Sequence, residues 1–179
     1  MISEMSSRER PKLRLEPWAG GDLPLLVRLL GDPEMTKHLG GPESPEKLAE
    51  RQQKYERLPE TGAGRMFKVV DDETGEPVGS VGYWDKDWRD EQVYETGWSV
   101  LPEFQGRGIA VEATRQALAL AAADGKHRYV HAFPSVENAP SNAICRKLGF
   151  ELLGEHDFEY PAGTGNMLLC NDWRFDLTP

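Results

Sequence analysis

Two glycines, Gly106 and Gly108, stand between a strand-like segment and a long helix-forming segment, and they constrain the fold more than any other feature. Residues 93–100 alternate in the manner of a strand, whereas 109–124 is rich in alanine and has no internal glycine or proline. The first turn of a helix has unpaired N–H groups and a partial positive charge, which together attract a diphosphate. Glycine lets the backbone take positive φ and approach such a ligand closely. The connection is therefore a candidate phosphate-binding loop.

Two common phosphate loops are excluded by the residues that follow these glycines. A P-loop requires lysine and then serine or threonine after its last glycine, but Gly108 is followed by Ile109 and Ala110. A dinucleotide fingerprint requires a third glycine where this chain has Val111. Glycine spacing alone leaves two alternatives, an anion site and a plain strand-to-helix turn. Arg107 can add a charge-assisted contact to an anion.

The rest of the chain predicts a mixed sheet with helices on both faces. Strands are predicted at 12–18, 66–70, 78–84, 93–100, 128–133, 150–158 and 166–173, and helices at 22–31, 44–58, 109–124 and 138–148. Short turns between the early strands predict an antiparallel meander. The crossover within 93–133 is long enough for a parallel pair. We therefore predict the α/β class (an α+β mixed sheet), with one domain at 11–179 and a flexible tail at 1–10.

Composition limits the partners of this domain. The 179 residues include 21 basic and 30 acidic side chains, a net charge of −9 that argues against nucleic acid and favours a cationic ligand. No segment approaches the roughly 20 apolar residues that cross a bilayer, so no membrane partner is expected. Cys145 and Cys170 have no metal-type spacing, which predicts free thiols in a reducing, cytoplasmic compartment and no metal.

Two segments resemble the GNAT acyltransferase superfamily. Gln105-x-x-Gly108-x-Ala110, with Phe104 before it, is similar to the family's pyrophosphate motif, and 138–150 (NAPSNAICRKLGF) is similar to its cofactor helix. The similarity spans 66–158 and is greatest to the branch of the ribosomal-protein N-terminal acetyltransferases. It implies a GNAT-like domain with its parallel pair at the cofactor site, and acetyl-CoA as co-substrate. It also implies cofactor contacts from Trp98, Val100, Gln105, Gly106, Arg107, Gly108, Ile109, Ala110, Asn138, Ser141 and Asn142.

Glu95 is the candidate base. Transfer from a thioester to an amine requires removal of a proton from the amine, whose pKa is about 10 for a lysine-like group. Glu95 shares a predicted strand face with Gly97 and Ser99, and members of the similar branch often have an acid here. The alternative is a carboxylate at the strand edge that pairs with an arginine.

The helix at 138–148 provides the candidates for proton donation to the departing thiolate. Asn138, Ser141 and Cys145 recur at helical spacing and form one stripe. The resemblance implies that Asn138 contacts the pantetheine arm, which is compatible with an N-cap role. It also implies that Ser141 bonds to the sulfur, although a first-turn bond to the backbone is the alternative. Many relatives have a tyrosine where this chain has Cys145, so the acid is Ser141, Cys145 or solvent, and Cys145 is more often a packing residue.

The leading hypothesis is direct acetyl transfer to a primary amine on a peptide N-terminus or a small molecule, including an antibiotic. The alternatives are a non-catalytic acyl-CoA-binding module and a scaffold without a cofactor. A homodimer is compatible with these features, which do not require one. His127 and His131 are four residues apart, a spacing that would place them on one face of a helix. The segment 129–133 is predicted to be a strand, so they would not share such a face. The side chains of Trp84, Asp85, Asp87 and Trp88 could form an aromatic, acidic wall for a cationic amine, but a solvated turn is predicted in the connection 85–92 instead.

Overall fold

The computed structural model describes residues 10–178, which contain seven strands and four α-helices. The strands are β1 (Leu13–Pro17), β2 (Gly64–Asp71), β3 (Pro77–Trp88), β4 (Glu91–Val100), β5 (Tyr129–Ala132), β6 (Glu151–Glu159) and β7 (Met167–Asp176). The helices are α1 (Leu23–Leu30), α2 (Pro45–Thr61), α3 (Ile109–Asp124) and α4 (Ala139–Leu148), and a short 3₁₀ turn at Pro102–Phe104 precedes α3. Of the predicted tail, residues 1–9 lie outside the described part.

The strands form one sheet in the order β1-β2-β3-β4-β5-β7-β6. β1 to β4 pair antiparallel, β4 and β5 pair parallel across the α3 crossover, and β7 lies antiparallel between β5 and β6. The predicted mixed sheet with an antiparallel meander and one parallel pair is therefore confirmed. The insertion of β7 between β5 and β6 could not be inferred from local patterns.

The hairpin of β3 and β4 is longer than the sequence predicts, and the expected solvated turn at 85–92 is wrong. β3 continues to Trp88 and pairs with β4 up to Glu91. Only Arg89 and Asp90 form the turn, with φ of 49° and 62°. Positive φ at both positions is the geometry that two-residue hairpin turns prefer. The acidic composition suggested a loop, but cross-strand pairing overrides such weak propensities.

Each face of the sheet carries its own core. α3 and α4 cover one face, where Tyr83, Tyr94 and Val130 are among the buried side chains. The small residues of α3 let the helix pack closely against the sheet, because Ala113, Ala117 and Ala121 are at most 1% exposed. The opposite face is covered near β2 by α1 and α2, with Trp18, Leu26, Leu29, Leu48 and Met66 in the second core. The part of that second face over β4, β5 and β7 carries the polar side chains described below.

Candidate active site

The loop between β4 and α3 presents free backbone donors at the start of a helix. Gly106 and Gly108 both have φ of 78°, and Gly108 is the N-cap residue of α3. Within residues 10–178, the N–H groups of 106–111 have no acceptor. A Cβ on Gly106 would meet no atom within 4 Å, and one on Gly108 would meet only Pro11, at 3.8 Å. The loop thus has the donors and the open space that a diphosphate requires.

The side chains of the loop brace its shape. Gln105 Nε2 donates to the Val100 carbonyl at 2.9 Å. Arg107 Nη2 donates to the Glu103 carbonyl at 3.1 Å, and its guanidinium lies 5.5 Å from the ring centroid of Phe104. The guanidinium is at the surface, where it is also available to an anion. Of the other predicted contacts here, Ile109 is buried and anchors the helix start, while Ala110 is half-buried.

The sheet opens beside this loop because the parallel pair is short. β4 and β5 pair at two positions, of which Glu95–His131 is the last. β4 then continues for five residues to Val100, whereas β5 ends at Ala132. Within residues 10–178 this part of β4, which includes the half-buried Trp98, has no partner strand on that side. A strand edge without a partner offers N–H and C=O groups to an extended ligand.

A side-chain cap fixes the start of α4. Asn138 Oδ1 accepts from the N–H of Ser141 at 3.2 Å, so Asn138 is the N-cap residue. Ser141 is half-buried, and its hydroxyl makes no hydrogen bond within residues 10–178. The expected alternative, in which this hydroxyl bonds to the backbone, is therefore not observed in that range. The first turn of α4 keeps a free hydroxyl.

Asn142 and Cys145 are committed to the protein interior. Asn142 Nδ2 donates to the carbonyls of Ser135 and Asn138, and its Oδ1 accepts from Asn171 and Trp173, over distances of 2.8 to 3.0 Å. These four bonds leave the amide no free group for a ligand, so the structure favours packing over the expected cofactor contact. Cys145 is 0% exposed in the core, and burial raises its thiol pKa to about 12.

Glu95 lies on the sheet face opposite Tyr94, as the strand pattern predicts. Its carboxylate accepts from Trp84 Nε1 at 2.8 Å. Within residues 10–178 it forms no ion pair with an arginine, so the structural alternative for this residue is not observed. Burial raises the pKa of Glu95, although the positive charge of Lys86 and the bond from Trp84 oppose the shift. A carboxylate with a raised pKa is better matched to proton abstraction near neutral pH.

Sequence reasoning missed a buried pair beside Glu95. His131 Nδ1 lies 2.6 Å from Asp172 Oδ1, and Trp88 Nε1 donates to Asp172 Oδ2 at 3.0 Å. Burial alone raises the pKa of Asp172, but the bonds from His131 and Trp88 outweigh it, and the pKa is lowered. The predicted parallel pairing of β4 and β5 is the signal in the sequence that brings His131 and Glu95 onto neighbouring strands. Nothing local indicated that β7 would place Asp172 there.

An aromatic cluster borders this pair and holds a lysine. Lys86 Nζ lies 6.0, 5.7 and 5.4 Å from the ring centroids of Trp88, Phe133 and Phe158. Rings at these distances stabilise an ammonium group. Asp85, by contrast, bonds to His127 at 2.8 Å and to Lys126, away from this cluster. The tryptophan and acidic side chains of 85–88 therefore do not form one wall.

Helix α2 and the connection between β6 and β7 meet over this face. Arg51 Nη2 donates to the Tyr160 hydroxyl at 3.2 Å and also pairs with Glu43. Burial raises the pKa of Tyr160; Arg51 opposes the shift, and the charges of Glu43 and Glu95 add to it. Glu95 is thus close enough to Tyr160 to influence its titration. The contact therefore joins α2 to the β6–β7 connection near Glu95.

In the range 10–178, no helix has both the length and the apolar character for a membrane span. The same residues contain no group of three or more His, Cys, Asp or Glu side chains arranged to hold an ion.

A family model and several solved structures are similar to this chain. Residues 12–151 match the model of the acetyltransferase (GNAT) domain. A Salmonella typhimurium acetyltransferase that modifies the N-terminal serine of ribosomal protein L7/L12 is 21% identical, with a TM-score of 0.74 over 92% of this chain and 94% of that one. Spermidine N-acetyltransferase from Vibrio cholerae, in complex with CoA and spermine, is 19% identical, with a TM-score of 0.74 over 92% and 95%. An aminoglycoside acetyltransferase in complex with coenzyme A is 18% identical, with a TM-score of 0.72 over 92% and 95%. At these identities the likeness is one of fold.

Proposed function

Because the chain belongs to the acetyltransferase (GNAT) family, we propose that it transfers the acetyl group of acetyl-CoA directly to a primary amine. The observation that carries this proposal is the position of one loop. The free N–H groups of 106–111 follow the strand that carries Glu95 after one short turn, and Glu95 stands where β4 and β5 separate. A loop with free N–H donors, an open strand edge and a half-buried carboxylate therefore lie along one continuous stretch of chain.

Acetyl-CoA supplies the activated acyl group, and two parts of this chain are suited to hold it. The N–H groups of 106–111 are the donors for the pyrophosphate, with Arg107 at the surface beside them. The open edge of β4 around Trp98 and Val100, together with Asn138 on α4, is suited to the amide-containing arm. Asn142 is left out of this set because its hydrogen bonds are satisfied within the protein.

Glu95 acts as the base in this proposal. A primary amine with a pKa of about 10 is mostly protonated at neutral pH and must lose a proton before it can attack. Burial raises the pKa of Glu95, which makes the carboxylate a stronger base than an exposed glutamate. The bond from Trp84 fixes one carboxylate oxygen and leaves the other available.

Ser141 donates the proton to the departing thiolate. Its hydroxyl has no partner within residues 10–178, and it lies on the first turn of α4, next to the cap residue Asn138. Cys145 is assigned to packing because it is fully buried and its pKa is about 12. A hydroxyl is also a stronger hydrogen-bond donor than a thiol.

The proposed acceptors are a peptide N-terminus and small amines such as polyamines and aminoglycosides. Three proteins of the same fold act on, or are named for, acceptors of these kinds. The net charge of −9 favours a cationic acceptor because it raises the local concentration of positive ligands.

The test is an acetyl-transfer assay on a panel that contains a serine-initiated peptide, spermidine and kanamycin. Release of the CoA thiol and the mass of the acetylated product are followed together. We expect amine-dependent release, and a loss of kcat by about 10²- to 10⁴-fold in Glu95→Gln with CoA affinity unchanged. Glu91→Gln, an exposed position on the same strand, is the matched control and should stay active. CoA binding without transfer to any amine would instead favour the non-catalytic acyl-CoA-binding module.

A further inference from the structure

The half-buried base Glu95 needs a route for the proton that it collects, and one histidine lies opposite it on the neighbouring strand. The β4–β5 pairing sets His131 opposite Glu95 in the parallel register. Neighbouring strands lie about 4.8 Å apart, so paired residues have their side chains within reach of each other. We infer that His131, oriented by Asp172, takes the proton from Glu95 once the acceptor amine has been deprotonated. The inference rests on the proposed role of Glu95 as the base.

Two direct contacts and one indirect contact orient the imidazole. Its Nδ1 lies 2.6 Å from Asp172 Oδ1, where a carboxylate favours the tautomer that donates from Nδ1 and keeps Nε2 as an acceptor. Trp88 holds the other Asp172 oxygen at 3.0 Å, which fixes the carboxylate. The ring stacks on Phe133 with a centroid distance of 5.7 Å and an angle of 17°. Within residues 10–178, Nε2 makes no hydrogen bond, so it is available to Glu95 directly or through one water.

The surrounding charges suit transfer from Glu95 to His131. Asp172 provides the negative charge that stabilises an imidazolium, and the side chains of His131 and Asp172 are both at most 3% exposed. Lys86 and Lys54 favour the ionised form of Glu95, so they assist return of the carboxylate to its starting state. The other register partner of His131 is Arg174, which lies over the Tyr129 ring at 4.4 Å. The charged and titratable groups around the relay therefore include Glu95 on β4, Lys86 on β3, Arg89 in the β3–β4 turn, Asp172 and Arg174 on β7, Lys54 on α2, and Tyr160 between β6 and β7.

The protons balance without any further reactant. The ammonium of the acceptor gives one proton to Glu95, Glu95 passes it to Nε2 of His131, and the imidazolium releases it to water. The second proton leaves the amine nitrogen as the amide bond forms and replaces the proton that Ser141 gives to the thiolate. One ammonium and one thioester thus yield an amide, a thiol and a proton. His131 and Asp172 act through Glu95 and are positioning residues.

The competing explanation is that the pair only joins β5 to β7, and His131→Asn separates the two. The asparagine amide can keep the bond to Asp172 in place of Nδ1, but it offers no basic nitrogen in place of Nε2. The matched control is His127→Asn, because His127 also pairs with a carboxylate, that of Asp85 at 2.8 Å, but packs against Tyr94 away from Glu95. Both variants are assayed for acetyl transfer to the panel amine with the highest rate, from pH 5 to 9.

We expect His131→Asn to lower kcat by about tenfold or more, with an unchanged KM for acetyl-CoA, and to make the fall of rate at low pH less steep. Free imidazole added to the assay should restore part of the rate, an effect that a structural role would not produce. His127→Asn should stay within about twofold of the wild type. If His131→Asn does not fold, Asp172→Asn serves as the second variant, with the same loss of kcat expected.

A folded His131→Asn variant with the wild-type kcat and pH profile, or an Asp172→Asn variant with unchanged kcat, would overturn the relay. In either case the wild type and Glu95→Gln would still report on the proposed function. A wild type that transfers acetyl to no amine rejects the proposed function itself and removes the relay with it. An active wild type with an unaltered His131→Asn rejects the relay alone.

Discussion

The proposed cofactor side and the proposed acceptor side of this site are built from different parts of the chain. The first consists of main-chain N–H groups in one contiguous segment, 106–111. The second consists of side chains that three strands bring together, with Glu95, His131 and Asp172 at its centre. Main-chain donors depend on backbone conformation, whereas each acceptor-side group is a single side chain that no neighbour replaces. Changes on the first side should therefore alter binding, and changes on the second should alter rate.

The largest effect on CoA binding is expected from a change in the loop backbone. Gly108→Val puts a branched side chain at φ of 78° into the open space before the loop, which displaces a bound phosphate. Loss of two charge-assisted hydrogen bonds at about 1.5 kcal/mol each weakens CoA binding roughly 100-fold. The measurement is calorimetric titration with CoA.

Gly125→Val is the control for that variant. Gly125 ends the same helix with φ of 65°, so valine there suffers similar backbone strain far from the loop. We expect both variants to lose stability but only Gly108→Val to lose CoA affinity. Equal CoA affinity in the two variants would break the assignment of binding to this loop.

Ser141→Ala tests whether a side chain near the cofactor loop can affect the rate without affecting CoA binding. It should lower kcat by roughly 10- to 100-fold, less than the full effect of a general acid, because water can take the place of the hydroxyl. CoA affinity should change little. Ser135→Ala is the control. In the part of the chain that the structure describes, the Ser135 hydroxyl accepts one hydrogen bond, from the Glu137 N–H at 3.3 Å. A wild-type rate in Ser141→Ala would assign the proton to solvent.

The pH dependence of kcat depends on the environment of Glu95. Because burial raises its pKa, the rate should fall with decreasing pH at a midpoint above the ordinary glutamate value of about 4.3. Trp84→Phe keeps a ring but removes the donor at 2.8 Å, which raises the pKa further and moves this midpoint to higher pH. The lost bond corresponds to about 1 kcal/mol, or roughly a fivefold change in the acid dissociation constant of Glu95. A midpoint that stays in place in Trp84→Phe would show that another group controls the profile.

The smallest effect is expected at Asn138, the N-cap residue of α4. Asn138→Ala removes the acceptor for the Ser141 N–H and should lower the free energy of unfolding by about 1 kcal/mol. Ser44→Ala removes the equivalent cap of α2 and should have the same cost. Only Asn138→Ala should also weaken CoA binding, by a few-fold, in thermal-shift titrations. Equal CoA binding in both variants would limit Asn138 to a structural role.

The two sides also differ in how well the sequence predicts them. The bounds of α3, the cap at Ser44 and the loop glycines follow from local rules, because a helix start is specified by a few consecutive residues. The segment 138–148 forms a helix as predicted, but the motif does not specify the direction of each side chain. Asn142 points into the protein because Asn171 and Trp173 of a distant strand bond to it.

The acceptor side could be predicted only in part. The period of β4 placed Glu95 on its face, but the partner strands decide what surrounds it. Asp172 reaches His131 because β7 inserts between β5 and β6, and no local pattern specifies that order. Trp88 reaches Asp172 because β3 extends beyond its predicted end, through residues whose composition suggested a turn.

The central claim is that the main chain at 106–111 holds the pyrophosphate of CoA, and amide NMR tests it directly. The backbone resonances are followed while CoA is added to the ¹⁵N-labelled protein. If these N–H groups bind the pyrophosphate, the amide resonances of residues 106–111 should shift saturably, and by more than those at the other end of α3 near Gly125. Unshifted amides at 106–111, with CoA either unbound or bound elsewhere, would contradict it.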